Sequence, residues 1–229
     1  MVDTNFDCSS NSSKGSTSGT SSKLDQSFNE TALGLKDIAE IYNEIGGDQY
    51  DEWAKKVNFN APNHLVELIG TGGKLELATD AKILDVGAGS GTVGKLLKKK
   101  GFTDITGIDA SDNMLQKAKE SGAYQSTHCM YIGMGVNKYP AELKDRFDLV
   151  TACGCFIEGH IPSTGFDDVH ASLKVGGHFV INFKEENWVE GTKDGFREKL
   201  DSLFAEGKFK LVSETTRFRE EYRTNADGE

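Results

Sequence analysis

The chain has 229 residues, a formal net charge of −10, 37% hydrophobic and 27% charged residues. That length supports one medium domain whose core needs neither disulfide nor metal to hold it. The acid excess argues against nucleic acid as a partner, because phosphate backbones attract basic stripes, and no run approaches the roughly 20 apolar residues of a membrane span.

Residues 1–27 are dominated by Ser, Thr, Asn and Gly, a composition that buries too little apolar area to offset its ordering entropy, so a disordered tail is expected. Residues 28–72 read as helices. Ala32, Leu35, Ile38, Ala39 and Tyr42 recur at helical spacing until Gly46-Gly47, a second short helix covers 50–57, and a third begins at Pro62, a good first-turn residue. From residue 73 strands and helices alternate, which predicts a Rossmann-like, doubly wound, mostly parallel α/β sheet with right-handed crossovers. The predicted strands are 82–86, 104–108, a stretch within 125–132, 147–152 and 178–183, with helices over 92–100, 111–122, 166–173 and 193–205. Lys98, Lys99 and Lys100 are the cationic last turn of the first of these. An extended segment over 209–218 follows. Cys8, Cys129, Cys153 and Cys155 make neither a CxxC pair nor a disulfide framework, and Cys153 and Cys155 read as small buried thiols at a strand end.

The most informative segment is Ile83-Leu84-Asp85-Val86-Gly87-Ala88-Gly89-Ser90-Gly91, an apolar strand emptying into three alternating glycines before a helix. Glycine lets backbone approach a ligand closely and take positive φ, and the helix start offers free N–H groups to a carboxylate or phosphate. Gly89-x-Gly91-x-x-Gly94 also satisfies the dinucleotide pattern. Asp85 breaks the tie, since a carboxylate beside that loop suits a cationic ligand such as S-adenosylmethionine better than a pyrophosphate. Asp109, ending the second strand, is placed to accept from both ribose hydroxyls of either cofactor. The bland alternatives are a helix-capping acid for Asp85 and a loop acid before the Ser111 cap for Asp109.

Through ILDVGAGSGTVG, TGIDASDNML, FDLVTACGCFIEGHIP and LKVGGHFVINFKEENW the chain resembles the class I S-adenosylmethionine-dependent methyltransferases, from about residue 50 onward. YDEWA, GHIP and GGHFVINFKEENW look more narrowly like the Williams–Beuren-region methyltransferase-like group. The resemblance implies a cofactor site from Gly87, Gly89 and Gly91, with ribose contacts from Asp109 and adenine packing on Ala110 and Met114; Asp85 and Ala88 of the same segment complete the expected cofactor-binding set. It places the backbone at Cys153 under the methionine moiety, and makes the N-terminal helices a lid carrying Tyr42, Tyr50 and Trp53. The family usually has an acid after strand three for the adenine amino group; here Met134 and Gly135 hold that place. The family fold also ends in a hairpin whose seventh strand has no counterpart before Glu229, although Asn225-Ala226-Asp227-Gly228 carries turn chemistry. A truncated product, or further residues rich in Val, Ile and aromatics, is therefore expected.

Methyl transfer from a sulfonium needs few side chains. His160, after strand four, is the candidate general base, its alternative being a residue that orders the turn before Pro162. The leading expectation is a cytoplasmic, monomeric enzyme methylating a small molecule. The alternatives are a protein methyltransferase for basic peptides attracted to the acidic surface, a non-catalytic S-adenosylmethionine-binding protein, and, last, a nicotinamide-dependent oxidoreductase.

Overall fold

Parallel strands must be joined by crossovers long enough to hold a helix. The computed structural model describes residues 35–213 and has this arrangement. Helices α1 (Leu35–Lys56) and α2 (Ala61–Glu67) come first. They are followed by β1 (Lys82–Val86), α3 (Thr92–Lys99), β2 (Asp104–Asp109), α4 (Asp112–Glu120), β3 (Ser126–Cys129), β4 (Phe147–Ala152), α5 (Gly165–Ser172), β5 (Leu173–Ile181) and α6 (Phe196–Ala205). The strands form one parallel sheet in the order β3-β2-β1-β4-β5. The chain winds outward from β1 to β3 and then returns to the far side of β1, so strand order reverses between β1 and β4. Loops leaving adjacent strands in opposite directions open a crevice at the carboxyl ends of the strands.

The strand period of two divides the core. Ile83 lies opposite Ile105 and Leu149, and these three pack with Leu65, Val66, Val93 and Leu97 of α2 and α3. Leu84 and Val150 face the other way, into Phe156, Phe166 and Phe196, where the Phe156 and Phe166 rings stack at 4.4 Å. Right-handed crossovers put α3 and α5 on opposite faces once the winding direction reverses. Among the described residues no helix is long and apolar enough to cross a membrane.

Boundaries agree closely for β1, β4 and α4, whose N-cap Ser111 accepts from the Met114 N–H at 3.2 Å. Three regions differ. The first two predicted helices are separated at Gly46 as expected, where φ 69° and ψ 165° break the helix, but they abut there with no loop before residue 50, and together they make up α1. Strand β5 begins early, at Leu173 opposite Phe147; the turn at fully exposed Val175 and Gly176 then loops out before His178 joins Leu149. Residues 209–213 form no strand, and Phe209 instead packs on Phe179 and His170. The tail 1–27, the remainder of the 209–218 segment and the 225–228 turn lie outside the described residues.

Candidate active site

The crevice is a cavity beneath α1. Asp109, Ala110, Met114, Met130 and Tyr131 line its β2–β3 end, and Gly87, Cys153, His160, Tyr42 and Tyr50 line its β1–β4 end. The glycine loop is shaped by what it must pass. A Cβ on Gly87, at φ 67°, would lie 2.6 Å from Cys155 Cβ, so glycine is what lets the loops after β1 and β4 close together. Gly89, at φ 54°, turns its N–H to Oδ2 of Asp109 at 2.9 Å, while the Ser111 N–H donates to Oδ1 at 2.8 Å. Each oxygen keeps a lone pair. Burial pushes the Asp109 carboxyl up, against the pull of those backbone donors.

Asp85 is placed differently from the sequence expectation. It is 1% exposed and does not line the cavity. It pairs laterally with Gly107 of β2 and Thr151 of β4, and Tyr124 lies over the bare Gly107, where a Cβ would be 2.9 Å from its ring. The Tyr124 hydroxyl donates to Oδ2 at 2.7 Å and the Thr151 hydroxyl to Oδ1 at 2.9 Å. Burial pushes the Asp85 carboxyl up to about 7, opposed by these two donors and assisted by Asp109. Asp85 thus stands behind the glycine loop and makes no direct contact with whatever occupies the cavity.

The same tyrosine explains the dinucleotide-like spacing. A Cβ on Gly94 would sit 2.3 Å from Tyr124 Cζ, and the Gly94 N–H donates to the phenol oxygen at 3.1 Å. Gly94 is therefore small to admit Tyr124. Gly91, the N-cap of α3, also abuts Tyr124, and Ala88 donates its N–H to the Ile108 carbonyl at 2.9 Å; neither lines the cavity.

Met134 and Gly135 are also displaced. Strand β3 ends at Cys129, so Met130, Tyr131 and Ile132 form the wall, and Met134 is 39% exposed outside it. The chain is drawn away at Gly133, whose N–H donates to Asp168 at 2.7 Å and whose carbonyl accepts from Thr164 at 2.8 Å. Trp53 forms a second layer, 7% exposed, its ring 5.6 Å from Tyr50 and 6.2 Å from Phe59. The sequence reading missed Ile38, Ala39, Met130, Tyr131 and Ile132; the first two were legible as the cavity-facing turn below Tyr42, while the others needed the end of β3.

Helix α1 is pinned across the cavity. The Ser111 hydroxyl donates to Asn43 Oδ1 at 2.7 Å, the Ser90 hydroxyl donates to Asp51, and Lys117 pairs with Asp48. His160 meets this roof. Its Nδ1 lies 3.1 Å from the Glu158 carbonyl, which can only accept, so Nδ1 carries the proton; Nε2 then accepts the Tyr42 hydroxyl at 3.1 Å. Burial, helped by Lys184, pushes the imidazole down to about 4.

Known proteins share this architecture. The family described as Methyltransferase domain matches residues 83–177. Methyltransferase-like protein 27 of Homo sapiens is 27% identical over 175 residues, 75% of this chain and 69% of its own. A solved TehB-like S-adenosylmethionine-dependent methyltransferase of Corynebacterium glutamicum shares the fold with TM-score 0.50 and 20% identity, over 69% of this chain and 82% of its own. The chain carries a methyltransferase domain on a Rossmann-like methyltransferase fold and is an S-adenosylmethionine-dependent methyltransferase. The ubiquinone biosynthesis O-methyltransferase of Vibrio parahaemolyticus is 31% identical over 108 residues, 46% of this chain, which spans less than half, 45%, of that enzyme.

The methyltransferase's cofactor is S-adenosylmethionine, and the cavity chemistry fits it. A carboxylate stands at the β2 end for hydroxyls, sulfur and apolar side chains wall a flat base, and among the described lining residues there is no lysine or arginine for a pyrophosphate.

Proposed function

We propose that the enzyme carries the methyl group to a small-molecule acceptor held under α1, between the end of β4 and the rings of Tyr42 and Tyr50. The observation that carries this reading is the roof: α1 is fastened to α4 and to the glycine loop, so acceptor and cofactor share one covered cavity. Asp109 accepts the ribose hydroxyls with the lone pairs its backbone donors leave. Ala110, Met114 and Met130 hold the adenine, and backbone at Gly87, Gly89 and Cys153 receives the methionine part. When bound, S-adenosylmethionine supplies an already activated methyl group, so the protein must align the acceptor and exclude water. The partial relatives named for ubiquinone biosynthesis O-methylation favour an oxygen nucleophile.

Incubation with methyl-labelled cofactor and separate metabolite and Lys/Arg-rich peptide pools tests this. Label in the metabolite fraction is expected. Label confined to peptides would make the enzyme a protein methyltransferase, an acceptor class its net charge of −10 would attract. Stabilisation by S-adenosylhomocysteine of about 2.7 kcal/mol at a hundredfold excess over Kd, with no label anywhere, would make it a binding protein only.

A further inference from the structure

We propose that Lys184 selects the acceptor, and that what it selects is a small aromatic ring bearing a carboxylate. The inference rests on the proposed small-molecule reading and names the acceptor's chemical class.

The course of the chain past the end of β5 carries it. Phe183 turns into the core, its ring 5.0 Å from Trp188 and 5.9 Å from Phe196. In extended chain the residues on either side of it point the opposite way, and Lys184 keeps extended angles, φ −72° and ψ 145°. Asn182 shows where that way leads. Its Oδ1 accepts the Gly154 N–H at 3.0 Å, and Gly154 lines the cavity. Lys184, two residues on, stands at the rim of the same end, beside the loop that carries His160 and outside the wall itself. Its charge is felt there: burial first, and after it Lys184, push the His160 imidazole down.

The surroundings of the rim favour an anion. Lys184 pairs with Glu186 at 3.2 Å, but the Glu186 side chain is 72% exposed, and exposed pairs of this kind are weak. Lys184 can therefore turn to an arriving carboxylate at little cost. The negative groups nearby are restrained. Glu158 pairs with Lys193 at 3.0 Å, and the Asp194 carboxyl is pushed up by burial and by Glu158. Among the described lining residues the one carboxylate, Asp109, stands at the far end of the cavity. The chain's net charge of −10 repels anions at a distance, yet salt screens charges beyond about 8 Å, so an acceptor at the rim responds to the local set. A cationic acceptor would meet Lys184 there and an imidazole that burial already keeps neutral.

The ring follows from the roof. Tyr42 and Tyr50 stand edge to face, 6.1 Å apart, and the His160 ring lies 5.7 Å from Tyr42. All three line the cavity, and such surfaces favour a flat aromatic partner. A ring packed against them with its carboxylate toward Lys184 spans the distance from covered cavity to rim.

The test loads the full chain with S-adenosylhomocysteine and titrates it with benzoate, benzamide and benzylamine, rings of similar size bearing an anionic, a neutral and a cationic group. Calorimetry should show benzoate bound most tightly and benzylamine least. Lys184→Gln should weaken benzoate roughly tenfold or more, the loss of one charged hydrogen bond, and leave benzamide where it was. Lys184→Arg should restore most of the benzoate affinity, and added salt should weaken benzoate alone. Retained affinity for S-adenosylhomocysteine shows that each variant is folded. Failure of benzoate to bind, benzamide or benzylamine binding as tightly, or equal benzoate affinity in the unmodified protein and Lys184→Gln would overturn the inference. Methyl label confined to peptides would instead remove the small-molecule reading beneath it.

Discussion

At the scale of single residues, two carboxylates 24 positions apart divide the work. Asp109 borders the cavity and is held there by two backbone N–H groups. Asp109→Ala should lower affinity for S-adenosylhomocysteine by on the order of 1.5 to 3 kcal/mol, the worth of a charged hydrogen bond, with the circular dichroism spectrum retained. Calorimetry decides it, and unchanged affinity would reduce Asp109 to a loop acid. Asp85 instead organises the loop from behind through Tyr124. Tyr124→Phe leaves the Gly94 N–H without its acceptor and removes one of the two donors that restrain the Asp85 carboxyl. Urea unfolding should show a loss of about 1 to 3 kcal/mol, the penalty for stranding a buried polar group; a smaller change would mean that water replaces the phenol.

At the scale of elements, the clearest test is fit. Gly94→Ala drives a methyl into the Tyr124 ring, where the nearest atom would be 2.3 Å away, and overpacking of this kind costs about 1 to 3 kcal/mol. Gly94→Ala combined with Tyr124→Leu should recover most of that loss in the same unfolding assay. This pair also marks the limit of what the sequence discloses. Strand β1, the glycine loop, the Ser111 cap and Asp109 were legible because each is a local pattern within a few residues. Asp85 was legible as a strand-end acid, yet its partner Tyr124 is 39 residues away and reaches it only because Gly107 lies between them in the folded sheet. Met134 and Gly135 were misplaced for a related reason. All four residues of β3 are half-buried, so no alternation announces where the strand ends or where the wall begins.

At the scale of the whole molecule, two buried groups pull the pH dependence in opposite directions. Asp85 is raised from 3.8 to about 7, so over that window the folded state holds more protons than the unfolded one and stability falls as pH rises. His160 is lowered from 6.5 to about 4, so over that window the unfolded state holds more protons and stability falls as pH drops. Between about pH 4 and 6.5 the two contributions offset each other. Relative to the unmodified chain, Asp85→Asn should therefore gain stability as pH rises from 4 to 7, and His160→Gln should gain it as pH falls from 6.5 to 4. Chemical denaturation across that range reads both, and parallel curves for either variant would contradict the assigned direction.

The break at Gly46 bears on the order of events in turnover. No atom lies within 4 Å of where its side chain would be, and each half of α1 has its own fastening. Asn43 ties the first half to the start of α4, and Asp51 ties the second to Ser90. With Gly46 as a pivot, the segment bearing Tyr50 can part from the cavity once Asp48 leaves Lys117 and Asp51 leaves Ser90, while Asn43 keeps the first half on Ser111, two residues beyond Asp109. Such a cover admits and discharges the acceptor with the cofactor still held, which makes turnover sequential: cofactor first on, S-adenosylhomocysteine last off. In steady-state kinetics S-adenosylhomocysteine should then compete with S-adenosylmethionine but act as a non-competitive inhibitor toward the acceptor.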